Sequence, residues 1–435
     1  MTVPINEKRT VTIEKLVQGG KGLARLDSQV LFVPGVLPGE TVAVTGGVSR
    51  KGVQEAVVGD VLTASSDRVT PPCPVYGVCG GCQLQHIRYA AQLEQKRHIL
   101  QETLARVGKV SVRDVPSVIA SPHPYGYRST VRFMVLRDGG GFALGFYEES
   151  THRPVRAAEC LLVPEAARKI ILEVNSRLTA LNRLPFKLET LEVRRSMAFG
   201  TIVLSLRTGP TTREQARRWT TLFSDLPAMV GQVIYAEQAE QQQRWVEGRD
   251  WIADRLDGLT FRISDRSFMQ ANWILNETLA QMIVEWVSPA PGLRVLELYS
   301  GIGSLGLPLA RRGALVTEVE SNPYALADAR YAAKINHIGR CRFRRLSAET
   351  MLTTVGAGEY DVALLDPPRT GLSPACVHGL LQTHIPRLLY LSCDAATLAR
   401  DLSRLCGEGY RILRLQPFDM FPQTAHLETL VELLR

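Results

Sequence analysis

Arg294-Val295-Leu296-Glu297-Leu298-Tyr299-Ser300-Gly301-Ile302-Gly303-Ser304-Leu305-Gly306 decides the fold of this 435-residue chain. A short β-prone run ends at a glycine-rich turn, and helical sequence follows through Ala310. Ala314 to Val319 reads as the next strand and ends on Glu320. Further strands end at Leu365 and Leu391, with helical stretches between them. From about residue 261 this regular alternation predicts an α/β unit, a doubly wound parallel sheet of the Rossmann-like kind. Glycines at a strand-to-helix turn let backbone approach a ligand closely, and ligands of such sheets bind beyond the carboxyl ends of the strands.

An acid roughly twenty residues past such a turn accepts hydrogen bonds from ribose hydroxyls, which is the place Glu320 holds. The G-x-G-x-x-G spacing of Gly301, Gly303 and Gly306 leaves NAD and S-adenosylmethionine in competition. Asp366-Pro367-Pro368-Arg369, after the strand beginning at Tyr360, separates them. Its two prolines fix a rigid turn. Methyltransferases acting on planar nucleobases commonly carry that element, and dehydrogenases have no use for it.

Ser392-Cys393-Asp394 closes the apolar run Leu388-Leu389-Tyr390-Leu391 and precedes a good helix opening. A thiol at a strand's carboxyl end, facing a helix N-terminus, sits in a field that favours the thiolate. Near the C-terminus, Phe421-Pro422-Gln423-Thr424-Ala425-His426-Leu427-Glu428 offers a histidine and an acid. Glu428 is the sharper candidate, since a lone histidine is more often structural.

The formal net charge of +8 points to a polyanionic partner, and no basic amphipathic helix argues for a membrane. No apolar run reaches spanning length and the N-terminus lacks a signal-like apolar core, so a cytoplasmic protein with no membrane partner is expected. Short strands with glycine turns over residues 1–66 predict a small OB-like β-barrel, made basic by Lys8, Arg9, Lys15, Lys21 and Arg25. Residues 67–260 form a second, β-rich unit, and 261–435 the α/β unit. In the second unit Cys73, Cys79 and Cys82 follow a C-x5-C-x2-C spacing in a loop rich in proline and glycine. Three clustered thiols in an intracellular protein suggest metal, with Cys160 as the candidate fourth ligand. The spacing lacks the paired C-x2-C of a zinc ribbon and favours iron–sulfur. An amphipathic helix is expected over 87–108. The run from Tyr127 to Val135 alternates, placing Arg128 and Arg132 on one outward face suited to phosphate or a flipped base.

Taken together, the cysteine loop, Phe268-Met269-Gln270-Ala271-Asn272, the glycine turn, Asp366-Pro367-Pro368-Arg369 and the segment 421–428 resemble the RNA (uracil-5)-methyltransferase family. The resemblance covers nearly the whole chain. It implies a TRAM domain at the N-terminus, a [4Fe-4S] cluster on Cys73, Cys79, Cys82 and Cys160, and a C-terminal S-adenosylmethionine domain. It further implies cofactor contacts at Gln270, Tyr299, Glu320 and Asp366, the nucleophile at Cys393 and the base at Glu428. The expected substrate is a uridine of 23S ribosomal RNA, with transfer RNA as the alternative, modified by a monomer. Two departures stand out. Tyr299-Ser300-Gly301 replaces the usual Phe-Cys-Gly, and Asp394-Ala395 replaces a frequent Asn-Pro. Asp394 beside the nucleophile is expected to raise its pKa. Three other readings stay open on the residues alone: an amino-methylating enzyme that needs no thiol, an NAD-dependent oxidoreductase with an iron–sulfur centre, and a non-enzymatic RNA-binding protein.

Overall fold

Among the described residues, seven strands build the C-terminal sheet in the order Cys341–Arg344, Leu315–Val319, Arg294–Leu298, Val362–Leu365, Arg387–Ser392, Glu428–Leu434 and Arg411–Phe418. The first five run parallel, and the last strand of the chain inserts antiparallel between its two neighbours. These coordinates, a computed structural model, describe the chain apart from residues 1–7, 27–28, 47–48, 51–52, 111, 113, 139–140, 182–185 and 238–241. The expected α/β sheet is present. The strand Val362–Leu365 is apolar at every position, and Arg387–Ser392 is so from Leu388 to Leu391, because helices cover both faces. Successive residues feed opposite cores: Val362 and Leu364 pack on one side, Ala363 and Leu365 on the other.

Helices following these strands start at the carboxyl edge of the sheet, and short polar side chains cap several of them. Asn322, Ser347, Ser373 and Asp394 each accept a backbone N–H of the turn they precede. The same edge therefore carries the loops where a site is expected.

Upstream, strands between Thr130 and Gly248 form a second seven-stranded sheet, with the helices Glu165–Thr179 and Arg213–Leu222 packed on its core. At the N-terminus seven short strands from Arg9 to Thr63 wrap around Val11, Ile13, Leu31, Val42 and Val44. The basic residues there are locally matched: Lys8 pairs with Asp60 at 2.6 Å and Arg25 with Glu14 at 3.2 Å, while Lys15 reaches Glu102 and Lys21 reaches Glu55. The helix expected over 87–108 spans Tyr89–Arg106. It buries Leu100 and Leu104 in the core of the C-terminal sheet, and Ile119 bridges to Phe418 on that sheet's edge strand. The hairpin of Trp251–Leu256 and Leu259–Ser264 joins the same body through the helix Pro323–Ile335. No helix among the described residues is long and apolar enough to cross a membrane.

Candidate active site and cysteine cavity

The glycine turn is shaped from both ends. Tyr299, Gly301 and Gly303 take φ values of +62°, +56° and +77°, the left-handed region that a non-glycine residue enters at a cost. Glu320, at the end of the next strand, stitches the turn: its carboxylate accepts Gly301 N–H at 3.0 Å and Asn322 N–H at 2.6 Å. Gly306 serves a purpose other than backbone approach to a ligand. A Cβ there would strike the carboxyl groups of Glu297 and Glu318. These two acids face each other in register on adjacent strands and are both buried. Burial raises both pKa values, that of Glu318 to about 7, and the Glu318 charge adds to the rise at Glu297.

Four groups from four segments meet at the carboxyl edge. Asp366 ends the strand Val362–Leu365, and Gln270 Nε2 donates to its Oδ2 at 3.4 Å. Glu428 opens the final strand, 2% exposed, and its Oε1 has no hydrogen-bond partner among the described residues. Burial first, and then the Asp366 charge, holds the Glu428 carboxyl well above the usual range, with Arg369 opposing. Burial likewise brings Asp366 to about 7, against the Gln270 hydrogen bond. Cys393 sits half-buried between the end of its strand and the helix Ala395–Gly407.

For Cys393 the local expectation of a stabilised thiolate is overturned. Burial pushes its thiol up to about 12; Glu428 and Asp366 push the same way, while Arg369 and a backbone N–H pull down. The helix terminus supplies no visible relief, because its first N–H groups are already spoken for. Asp394 Oδ1 accepts them from Ala396 at 3.0 Å and Thr397 at 2.9 Å. Asp394 is thus a cap, and the acid whose charge bears most on the thiol is Glu428 rather than its own neighbour. Alkylation of Cys393 by iodoacetamide in the ligand-free protein is therefore expected to be slow at pH 8. Its rate should rise roughly tenfold per pH unit toward pH 11, and Glu428→Gln should accelerate it at any fixed pH. Peptide mass spectrometry reads both; a rate already flat above pH 8 would contradict the assignment.

Tyr299 is half-buried, and burial raises its phenol, whose O–H donates to the Cys376 sulfur. At His426 burial, then the Arg369 and Lys96 cations, bring the imidazole down to about 4, and its Nε2 accepts from Arg369 Nη2 at 3.4 Å.

A second constellation lies in the upstream sheet. Cys73, Cys79, Cys82 and Cys160 line one cavity of about 430 Å³. No three His, Cys, Asp or Glu side chains among the described residues close on a single-ion site. Arg128 stands in the same wall, with its Nε unpartnered among the described residues. This differs from the outward face expected for Arg128 and Arg132. Arg128 precedes the strand Thr130–Asp138 and turns to the thiols, whereas Arg132 pairs with Glu192 at 2.6 Å.

Sequence reasoning missed a surface of arginines stacked on aromatic rings between the hairpin and the helix Pro323–Ile335. Arg266 lies 4.3 Å from the Tyr324 ring centre, Arg249 4.9 Å from Trp251, and Arg262 between Trp251 at 5.7 Å and Tyr331 at 5.5 Å. Tyr324 and Tyr331 are exposed. Only the alternation of arginine and aromatic residues over 244–266 hinted at it.

Comparison with known proteins places these features. The family pattern described as tRNA (uracil-5-)-methyltransferase matches residues 88–435, and that of the TRAM domain matches 4–45. An uncharacterised RNA methyltransferase of Gloeobacter violaceus is 34% identical, over 98% of this chain and 96% of its own. The 23S rRNA (uracil(1939)-C(5))-methyltransferase RlmD of Halomonas elongata is also 34% identical, over 98% and 89%. Among solved structures, the Pyrococcus abyssi tRNA (uracil-54, C5)-methyltransferase in complex with S-adenosyl-L-homocysteine aligns with a TM-score of 0.78. It has 25% identity and covers 98% of this chain and 100% of that one.

Proposed function

This chain belongs to the RNA (uracil-5)-methyltransferase family, and we propose that it methylates carbon 5 of a specific uridine in 23S ribosomal RNA through a covalent adduct at Cys393. As a member it is an S-adenosylmethionine-dependent RNA methyltransferase with a TRAM domain. Ribosomal RNA is favoured by the higher identity to the enzyme named for 23S uracil 1939, 34% against 25% for the transfer-RNA enzyme. We read the protein as a cytoplasmic monomer of three units, 1–66, 67–260 and 261–435.

The observation that carries the mechanism is the meeting of Cys393, Asp366, Glu428 and Arg369 at one sheet edge. Carbon 5 of uracil is a poor nucleophile. The Cys393 sulfur, once deprotonated, bonds to carbon 6 and makes carbon 5 electron-rich. S-adenosylmethionine supplies the methyl group that carbon 5 takes. Glu428 then accepts the carbon 5 proton; the electron pair re-forms the ring double bond and the carbon 6–sulfur bond breaks. A buried carboxylate with one oxygen unpartnered is a stronger base than one in water, which suits that step. Arg369 opposes both raised pKa values and so favours the two ionised forms the cycle needs. Gln270, Tyr299, Glu320 and Asp366 are the proposed cofactor contacts, and Gln270 orients Asp366.

Cys73, Cys79, Cys82 and Cys160 would hold a [4Fe-4S] cluster. Four thiols around one cavity with a buried cation in its wall suit a thiolate-rich anionic group. Such a group would tie the loop 73–82 to the segment around Cys160, and the methyl transfer needs no redox step from it. The stacked arginines beside Tyr324 and Tyr331 are proposed to dock RNA, since bases and phosphates match such surfaces.

Incubation with methyl-labelled S-adenosylmethionine and separate 23S ribosomal and transfer RNA transcripts, followed by nucleoside analysis, tests the reading. Label in 5-methyluridine from ribosomal RNA is expected. The same nucleoside from transfer RNA alone would change the substrate, and label in any other nucleoside would remove Cys393 and Glu428 from their roles.

A further inference from the structure

The loop that delivers Glu428 is held mostly by the cysteine loop and by the helix Tyr89–Arg106, which lie more than three hundred residues earlier in the chain. Gln423, five residues before Glu428, is the point of attachment. Its carbonyl accepts the backbone N–H groups of Gln83 and Leu84, each at 3.0 Å, directly after Cys82. Its side chain and backbone meet one partner twice: Gln92 Nε2 donates to Gln423 Oε1 at 3.0 Å, and Gln423 N–H donates to Gln92 Oε1 at 3.2 Å. Gln83 adds Oε1 as acceptor for Ala425 N–H at 3.4 Å, while its own Nε2 donates to Gly80 in the cysteine loop at 3.0 Å.

Gln423 is 2% exposed and sits at φ +68°, a conformation that a side-chain-bearing residue keeps only where its surroundings over-determine it. The two amides form a matched fork in which each donor faces an acceptor. Neither a carboxylate nor a shorter amide at position 92 reproduces it. Nearby, Lys96 Nζ donates to Asp419 at 2.5 Å and to the Phe421 carbonyl at 3.1 Å, and Tyr127 O–H donates to the Pro422 carbonyl at 3.2 Å. Every one of these contacts falls between residues 419 and 425. None touches Glu428, whose Oε1 stays unpartnered among the described residues; its backbone is paired with Phe418 at the start of the strand, and this loop sets how the chain enters that pairing.

We propose that Gln92 and Gln83 are positioning residues for the chemical step: through Gln423 they set where the Glu428 carboxylate stands over carbon 5. The inference rests on the reading of Glu428 as the base. It predicts a particular failure. Loosening the fork leaves substrate binding and the attack of Cys393 intact, and slows only proton removal from carbon 5. The covalent intermediate then accumulates. A contact that merely glued parts of the protein together would instead lower stability, RNA binding and adduct formation in parallel.

The experiment compares wild type, Gln92→Glu, Gln83→Ala and Glu428→Gln on a 23S ribosomal RNA transcript. It measures kcat, KM for RNA, melting temperature and the protein–RNA adduct retained on denaturing gels. Gln92→Glu is expected to lower kcat roughly 10- to 100-fold, leave KM within about twofold, and show more adduct than wild type. Gln83→Ala should do the same to a smaller extent, and it carries the readout alone if Gln92→Glu does not fold. If Glu428→Gln accumulates adduct while the folded glutamine variants turn over normally, or lose adduct together with binding, the positioning role is overturned. If Glu428→Gln itself forms no excess adduct, it is the base assignment that fails.

Discussion

Cys393→Ala is expected to lower methylation by at least about 10⁴-fold and to abolish covalent capture of RNA. No other thiol can take over. Cys376 is buried and held against Tyr299, and the remaining cysteines of the α/β unit, Cys341 and Cys406, belong to other edges of the fold. The substitution removes a half-buried side chain from the end of a strand and leaves the Asp394 cap in place, so the protein should fold and retain the cofactor. Calorimetry with S-adenosylmethionine therefore separates loss of chemistry from loss of structure. An adduct surviving in this variant would assign the attack on carbon 6 elsewhere.

Glu428→Gln has the second-largest expected effect. Turnover should fall roughly 10²- to 10⁴-fold, the usual contribution of a positioned base, while the adduct persists on denaturing gels. The same substitution carries a stability signature whose sign follows from burial. The folded-state pKa of Glu428 lies above the unfolded value, so the folded protein binds this proton more tightly. Stability from the group is lost as pH rises from the unfolded pKa toward the folded one. A neutral glutamine escapes that loss. The variant's melting temperature should therefore gain on wild type as pH rises above about 5, and a difference independent of pH would contradict a raised pKa.

How much of this was legible in the chain depends on the range of the interaction involved. The strand Arg294–Leu298, its glycine turn and the helix after it follow from neighbouring residues, and there reading and structure agree. The electrostatics of Cys393 did not follow from its neighbours. A strand end and a helix start suggested a thiolate, but the carboxyls that raise its pKa arrive from residues 366 and 428. Arg128 misled for the same reason. Alternation put it beside Arg132, yet its surroundings are thiols from residues 73–82 and 160. Gly306 looked like part of a cofactor motif and proves to be shaped by Glu297 and by Glu318 from the next strand. The arginine–aromatic surface joins a hairpin to a helix some sixty residues later, so no local window contains it.

The insertion of the last strand has a consequence for how the enzyme comes into being. Glu428–Leu434 fills the slot between Arg387–Ser392 and Arg411–Phe418, so these two strands join one sheet only once it has entered between them. The proposed base begins that strand. Until that strand is in place, the reactive edge lacks its carboxylate and two neighbouring strands lack their partner. Closing the sheet and completing the candidate site are therefore one event in folding.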